Sequence, residues 1–275
     1  MLGGTGRTKL STVQLIIRLR TKIWRLWEVH LKVDRVPTGI LGLDKMIEGG
    51  IPKGRNIILV GGPGSGKTIF SLQFLVNGIR MYGQNGIFAS LEENKKHIYQ
   101  AMERFSWDPA DLEKSGKFTF LDASPIRRSP GDVKMGKYVV GRRDFSMLGL
   151  INNLEQLAES AKAERIVVDP LATLMFQYPE PYDRRNAYLD LIESLSATGA
   201  TCITTMEVGS SEFDNPIEEE YLSQGVISLQ SKQIGKALTR VLRVKKMRVT
   251  AADVQPRPYK IDSSGITVFA EETVF

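Results

Sequence analysis

The run Gly61-Gly62-Pro63-Gly64-Ser65-Gly66-Lys67-Thr68 restricts this chain to a small set of folds. An apolar stretch, Asn56-Ile57-Ile58-Leu59-Val60, precedes it, and the residues from Ile69 to Val76 follow with helical spacing. This is the G-x-x-x-x-G-K-T phosphate loop in a strand–loop–helix setting. The glycines matter because the backbone must turn N–H groups inward around a polyphosphate, through dihedrals that a Cβ would block. The helix behind the loop aims its unpaired N–H groups and positive dipole end at the same anion. Lys67 is placed to reach the β- and γ-phosphates, and the Thr68 hydroxyl to ligate Mg²⁺. The motif predicts a nucleoside triphosphate site.

The remainder of the chain alternates strand and helix patterns. Residues 86–91, 117–122, 165–169 and 200–205 read as strands, and 123–145 as an irregular loop rich in Pro, Gly and Arg. From Gly225 onward the pattern becomes alternating and β-branched, with strands near 226–230, 238–247, 257–261 and 266–269 that suggest an antiparallel extension of the sheet. The expected fold class is α/β: a mainly parallel sheet covered by helices on both faces, with C-terminal antiparallel strands. Ligands bind such sheets at the C-terminal edge of the strands.

The charge excess is local. Residues 1–32 hold seven basic side chains against Glu28 alone; removing these from the chain's 37 basic and 31 acidic residues leaves 30 of each in 33–275. The expected organisation is therefore a basic extension, 1–32, and a neutral catalytic domain, 33–275, whose net charge says nothing about its ligand. The extension reads as an amphipathic helix carrying Trp24 and Trp27, and its longest apolar run, Leu15-Ile16-Ile17, is far too short to span a membrane. One cysteine, Cys202, excludes an internal disulfide, and His30 and His97 are too few for a zinc site. Both facts fit a reducing cytoplasm.

Three further features carry candidate chemistry, and the sheet predicts that all converge with the loop at one edge. Arg165-Ile166-Val167-Val168-Asp169 is an apolar strand delivering a carboxylate, the pattern of a Walker B strand that holds the Mg²⁺ shell. Glu92 and Glu93 end a strand expected beside the phosphate loop. Spacing leaves two roles open for them: a base that deprotonates the attacking water, or acids favoured at a helix N-terminus. Lys245, Lys246 and Arg248 lie on a late strand, where Lys246 and Arg248 would share one face and point together at an anion, or simply form solvated surface charge.

Taken with Thr38-Gly39, Leu43-Asp44, Gly49-Gly50, Leu121-Asp122-Ala123-Ser124-Pro125 and Arg257-Pro258-Tyr259-Lys260-Ile261, these motifs fall in the order found in KaiC-domain ATPases, and residues 33 to about 270 resemble that family. The resemblance implies a RecA-like P-loop NTPase core with ATP and Mg²⁺ as cofactors. It implies nucleotide contacts from Gly61 through Ile69, metal contacts from Thr68 and Asp169, and Glu92 and Glu93 as catalytic carboxylates with Glu92 preferred. It also implies a ring, expected as a hexamer, in which Lys246 and Arg248 reach the γ-phosphate of the neighbouring subunit. The chain departs from the family where Gly and His are common: it has Val249 and Ala252. A strand expected to end Thr-Thr-Glu reads Thr204-Thr205-Met206-Glu207.

Function is expected to be that of an ATPase working as a nucleotide-driven switch or signalling protein with an unidentified protein partner. Two alternatives stand beside it: a RecA/RadA-like DNA-binding accessory ATPase, and an ATP-sensing scaffold with little catalysis. DNA binding is disfavoured by the acidic stretch 207–220, read as a loop with Glu207, Glu212, Asp214, Glu218, Glu219 and Glu220, although Arg127, Arg128, Lys134, Lys137, Arg142 and Arg143 could form a basic rim elsewhere.

Overall fold

The computed structural model describes residues 33–123, 133–135, 138–140, 147–175, 177–209, 216–234 and 237–274. The helix expected within 1–32, Arg127, Arg128, Lys137, Arg142 and Arg143 of the 126–143 loop, and Glu212 and Asp214 lie outside these residues. Arg35–Phe275 forms one compact unit.

The unit opens with a short antiparallel pair, β1 (Arg35–Val36) and β2 (Ile51–Pro52), flanking helix α1 (Leu43–Met46). The chain then runs β3 (Asn56–Gly61), α2 (Lys67–Tyr82), β4 (Gly86–Ser90), α3 (Lys95–Arg104), α4 (Pro109–Lys114) and β5 (Phe118–Asp122). After a hairpin of β6 (Val133–Met135) and β7 (Tyr138–Val140) come α5 (Met147–Ala161), β8 (Arg165–Asp169), α6 (Ala172–Met175), α7 (Pro181–Ala197) and β9 (Thr201–Glu207). Helix α8 (Glu218–Leu222) leads to β10 (Gly225–Ile234), β11 (Ala237–Met247), β12 (Arg257–Asp262) and β13 (Gly265–Val268). The β6–β7 pair corrects the expectation of an irregular loop over 123–145.

Among the described residues the main sheet has nine strands, in the order β13-β12-β11-β10-β3-β9-β8-β4-β5. From β10 through β5 every pairing is parallel, and β10–β11, β11–β12 and β12–β13 are antiparallel. The alternation of a strand explains the double cover. Ile57 and Leu59 enter a core with Phe70, Phe74 and Val76 of α2, whereas Ile58 and Val60 enter a second core with Leu150 and Leu154 of α5 and Leu191 of α7. Each fully buried aliphatic side chain contributes about 1.5–3 kcal/mol. Cys202 belongs to the second core, and burial pushes its thiol pKa well up, so it is an inert packing group.

Two polar anchors, one half-buried and one fully buried, set the N-terminal approach to the sheet. Asp44 accepts hydrogen bonds from the Thr38 backbone N–H and hydroxyl and from the Gly39 N–H, which accounts for the spacing of Thr38-Gly39 and Leu43-Asp44. Arg165, fully buried at the start of β8, donates to Gln84 Oε1 and to the carbonyls of Phe74 and Pro37.

Candidate functional site

The phosphate loop leaves β3 at Gly61 and enters α2 at Lys67. Gly64 and Gly66 take φ of +70° and +96°, the left-handed region where a side chain is strained. Pro63 and Gly64 form an exposed crest, with Gly62 half-buried behind it and Ser65 buried beneath. Lys67, only 9% exposed, folds its ammonium back to donate to the carbonyls of Gly61 (2.8 Å) and Gly62 (3.1 Å). Burial pulls its pKa down, and the charges of Glu207, Asp169 and Glu92 pull it back up. Ile69, partly buried, packs on the α2 side of the sheet.

Asp169 ends β8 and is 5% exposed. Its Oδ2 accepts from the Thr68 hydroxyl at 2.7 Å, and its Oδ1 from the Thr205 hydroxyl of β9. Burial pushes this carboxyl up; the hydrogen bonds from Thr205 and Thr68 and the charge of Lys67 oppose that, while Glu93 reinforces it. The strand carrying the carboxylates is not beside the phosphate loop as expected, because β9 and β8 stand between β3 and β4. Glu92 and Glu93 still arrive at the site, since the Leu91 N–H bonds the Asp169 carbonyl at 2.8 Å and carries the chain across. The Thr173 hydroxyl donates to Glu92 Oε1 at 2.6 Å. The Glu93 backbone is tied at both N–H and carbonyl to the Ser90 hydroxyl. Asn94 is the N-cap of α3, so both glutamates precede that helix.

Lys246 and Arg248 do not join this cluster within the chain, which corrects the expected four-way convergence. Parallel β10 sets Gly225 against Ile57 and Leu229 against Gly61, and antiparallel β11 pairs Lys246 with Val226 and Met247 with Gly225. The two basic residues therefore sit at the edge opposite the phosphate loop. A register shift at Val226/Ile227 breaks the simple alternation there, and Arg248 lies in the turn beyond the strand. Lys246 donates to the carbonyls of Glu220 and Tyr221 at the end of α8, and Lys245 forms an ion pair of 2.6 Å with Glu220. Glu218, Glu219 and Glu220 are thus helical rather than loop charge, and the latter two are buried.

Four residues to which the sequence gives no role at the site contribute to it: Thr205, Thr173, Glu207 and Tyr259. Glu207 pairs in register with Gly61, and Tyr259 donates to the Ser65 carbonyl. A Thr at the fourth or fifth position of a buried strand is a weak signal, and long-range partners across 194 residues leave none. Among the described residues there is no cluster of three His, Cys, Asp or Glu able to hold a metal, and no helix long and apolar enough to cross a membrane.

A family model described as KaiC ATPase matches residues 36–273. A UPF0273 protein of Pyrococcus horikoshii is 37% identical over 245 residues, covering 87% of this chain and 96% of that protein. The circadian clock oscillator protein KaiC of Parasynechococcus marenigrum is 32% identical over 244 residues, and the chain spans 46% of its length. The crystal structure of a KaiC-like protein from Pyrococcus horikoshii superposes with a TM-score of 0.74 at 30% identity, covering 86% of this chain and 99% of that one. The RecA-like architecture and the C-terminal antiparallel strands are those expected from sequence. With its phosphate loop and Asp169 strand brought together, the chain belongs to the KaiC ATPase family.

Proposed function

We propose that this chain binds ATP with Mg²⁺ at residues 61–69 and hydrolyses it. The Thr68–Asp169 hydrogen bond of 2.7 Å carries the reading, because it sets a hydroxyl and a carboxylate side by side at the foot of the loop. Two hard oxygen ligands suit Mg²⁺, which keeps several waters and needs no larger protein cage. The left-handed glycines and exposed crest suit a polyphosphate, with Lys67 beneath it as the cation. Bound Mg²⁺ would supply charge neutralisation between the phosphates. Glu92 is the preferred base, since Thr173 orients its carboxylate, and Glu93 is the alternative.

The proposal extends to a ring, expected as a hexamer, in which Lys246 and Arg248 serve the site of a neighbouring subunit. Their place at the edge opposite their own phosphate loop supports this arrangement. Such a ring would act as a nucleotide-driven switch, with 33–275 as its ATPase domain and 1–32 as an accessory extension. Turnover measurements test the core. Lys67→Ala should abolish hydrolysis, and Glu92→Gln with Glu93→Gln should lower it by about 10²–10⁴-fold while ATP still binds. Undiminished turnover in the double variant would remove both glutamates from the chemistry.

A further inference from the structure

The C-terminal end of the chain grips the phosphate loop from behind. Tyr259, in β12 and 4% exposed, donates a buried hydrogen bond of 2.6 Å to the backbone carbonyl of Ser65. Two residues on, Ile261 closes against Gly66, where an added Cβ would lie 2.7 Å from Ile261 Cδ1. Gln73 of α2 accepts from the Ile266 N–H at 2.6 Å and donates to the Ile266 carbonyl at 3.1 Å. The β12–β13 hairpin is thereby fastened to both the loop and the helix that the loop feeds.

We infer that Tyr259 is a positioning residue for nucleotide binding, holding the Ser65–Gly66 peptide in its binding orientation. In a trans peptide the carbonyl and the next N–H point in opposite directions. Fixing the Ser65 carbonyl on the hairpin side therefore directs the Gly66 N–H away from the hairpin. Gly64 and Gly66 leave the loop many alternative conformations, and any loop ordering left to the binding step subtracts from affinity. The tyrosine hydroxyl removes part of that cost in advance. This inference rests on the proposed nucleotide site at 61–69.

Tyr259→Phe keeps the ring and deletes only the hydroxyl. With one neutral hydrogen bond removed, ATP–Mg²⁺ affinity measured by calorimetry should weaken by about fivefold. The loss should appear in KM, with most of kcat retained at saturation. In the nucleotide-free protein, amide hydrogen exchange of the peptide spanning 61–68 should accelerate, whereas a merely structural role would lower the melting temperature and leave affinity unchanged. Parental binding with an unchanged Kd in the variant overturns the inference alone, as does unchanged exchange in the loop. A parent that binds no nucleotide overturns the site reading and this inference together.

Discussion

The Thr68 hydroxyl donates a 2.7 Å hydrogen bond to Asp169 Oδ2 across 101 residues of chain. Thr205 holds the other carboxylate oxygen, and the group is nearly sealed from water. Burial disfavours its ionised form, so the site stores an electrostatic cost that a cation would relieve. Asp169→Asn should keep both contacts, because a hydroxyl accepts as readily as it donates. The nucleotide-free variant should be more stable by about 1 kcal/mol, in the manner of other stability–activity trade-offs. Its melting temperature should no longer rise with ATP and Mg²⁺. A less stable variant that retained the ligand-induced rise would contradict both halves of the argument.

Val249 is a β-branched residue in the left-handed region, with φ of +53°. Its turn is braced by Arg35, which donates to the Val249 carbonyl (3.2 Å) and to the Thr250 hydroxyl (2.9 Å). A non-glycine residue there costs about 1–3 kcal/mol. Val249 is exposed, so its side chain returns little packing. Val249→Gly should raise stability by about 1 kcal/mol after the greater unfolded-chain entropy of glycine is subtracted. A lower urea midpoint would show that the valine makes up its strain elsewhere.

A φ of +53° at Val249 favours glycine, the residue that the sequence resemblance leads one to expect there. Local physics made much of the fold legible: Ile57 to Val60 announced a buried strand, and the glycines of 61–66 demanded a loop. Asp169 was legible because an apolar strand ending in a carboxylate has a short-range pattern. Strand order was not, since nothing within Gly86–Ser90 records that β8 and β9 intervene before β3. Lys246 was misplaced for a related reason. Its alternation with Arg248 is local, but the register shift at Val226/Ile227 and the α8 carbonyls are set by distant segments.

Glu220 and Lys245 form an ion pair with side chains 5% and 15% exposed. Removing one member of a buried pair leaves the other charge poorly solvated, at a cost of about 3–5 kcal/mol. Partial exposure of Lys245 reduces this, so Glu220→Ala should destabilise by about 2–3 kcal/mol. Replacing both residues, Glu220→Leu with Lys245→Met, should recover most of that loss. Chemical denaturation of the single and double variants would decide it. Equal destabilisation by both would mean that the helix, rather than the charge pair, had been lost.

Arg248 lies in an exposed turn at one edge of the sheet, and Lys67 lies at the start of α2, directly after the phosphate loop, at the other. If Arg248 completes a neighbour's site, the two lesions are separable. An Arg248→Ala subunit retains an intact phosphate loop, and a Lys67→Ala subunit retains an intact arginine. Each alone should be nearly inactive: loss of a trans-acting arginine costs about 10³–10⁵ in rate where one operates. Mixed rings would contain boundaries pairing an intact loop with an intact arginine. Turnover in a mixture of the two proteins should therefore rise well above that of either alone, with mixed assembly checked by light scattering and differential tagging. A fully active monomer, or confirmed mixed rings as inactive as their parents, would place the arginine's action elsewhere.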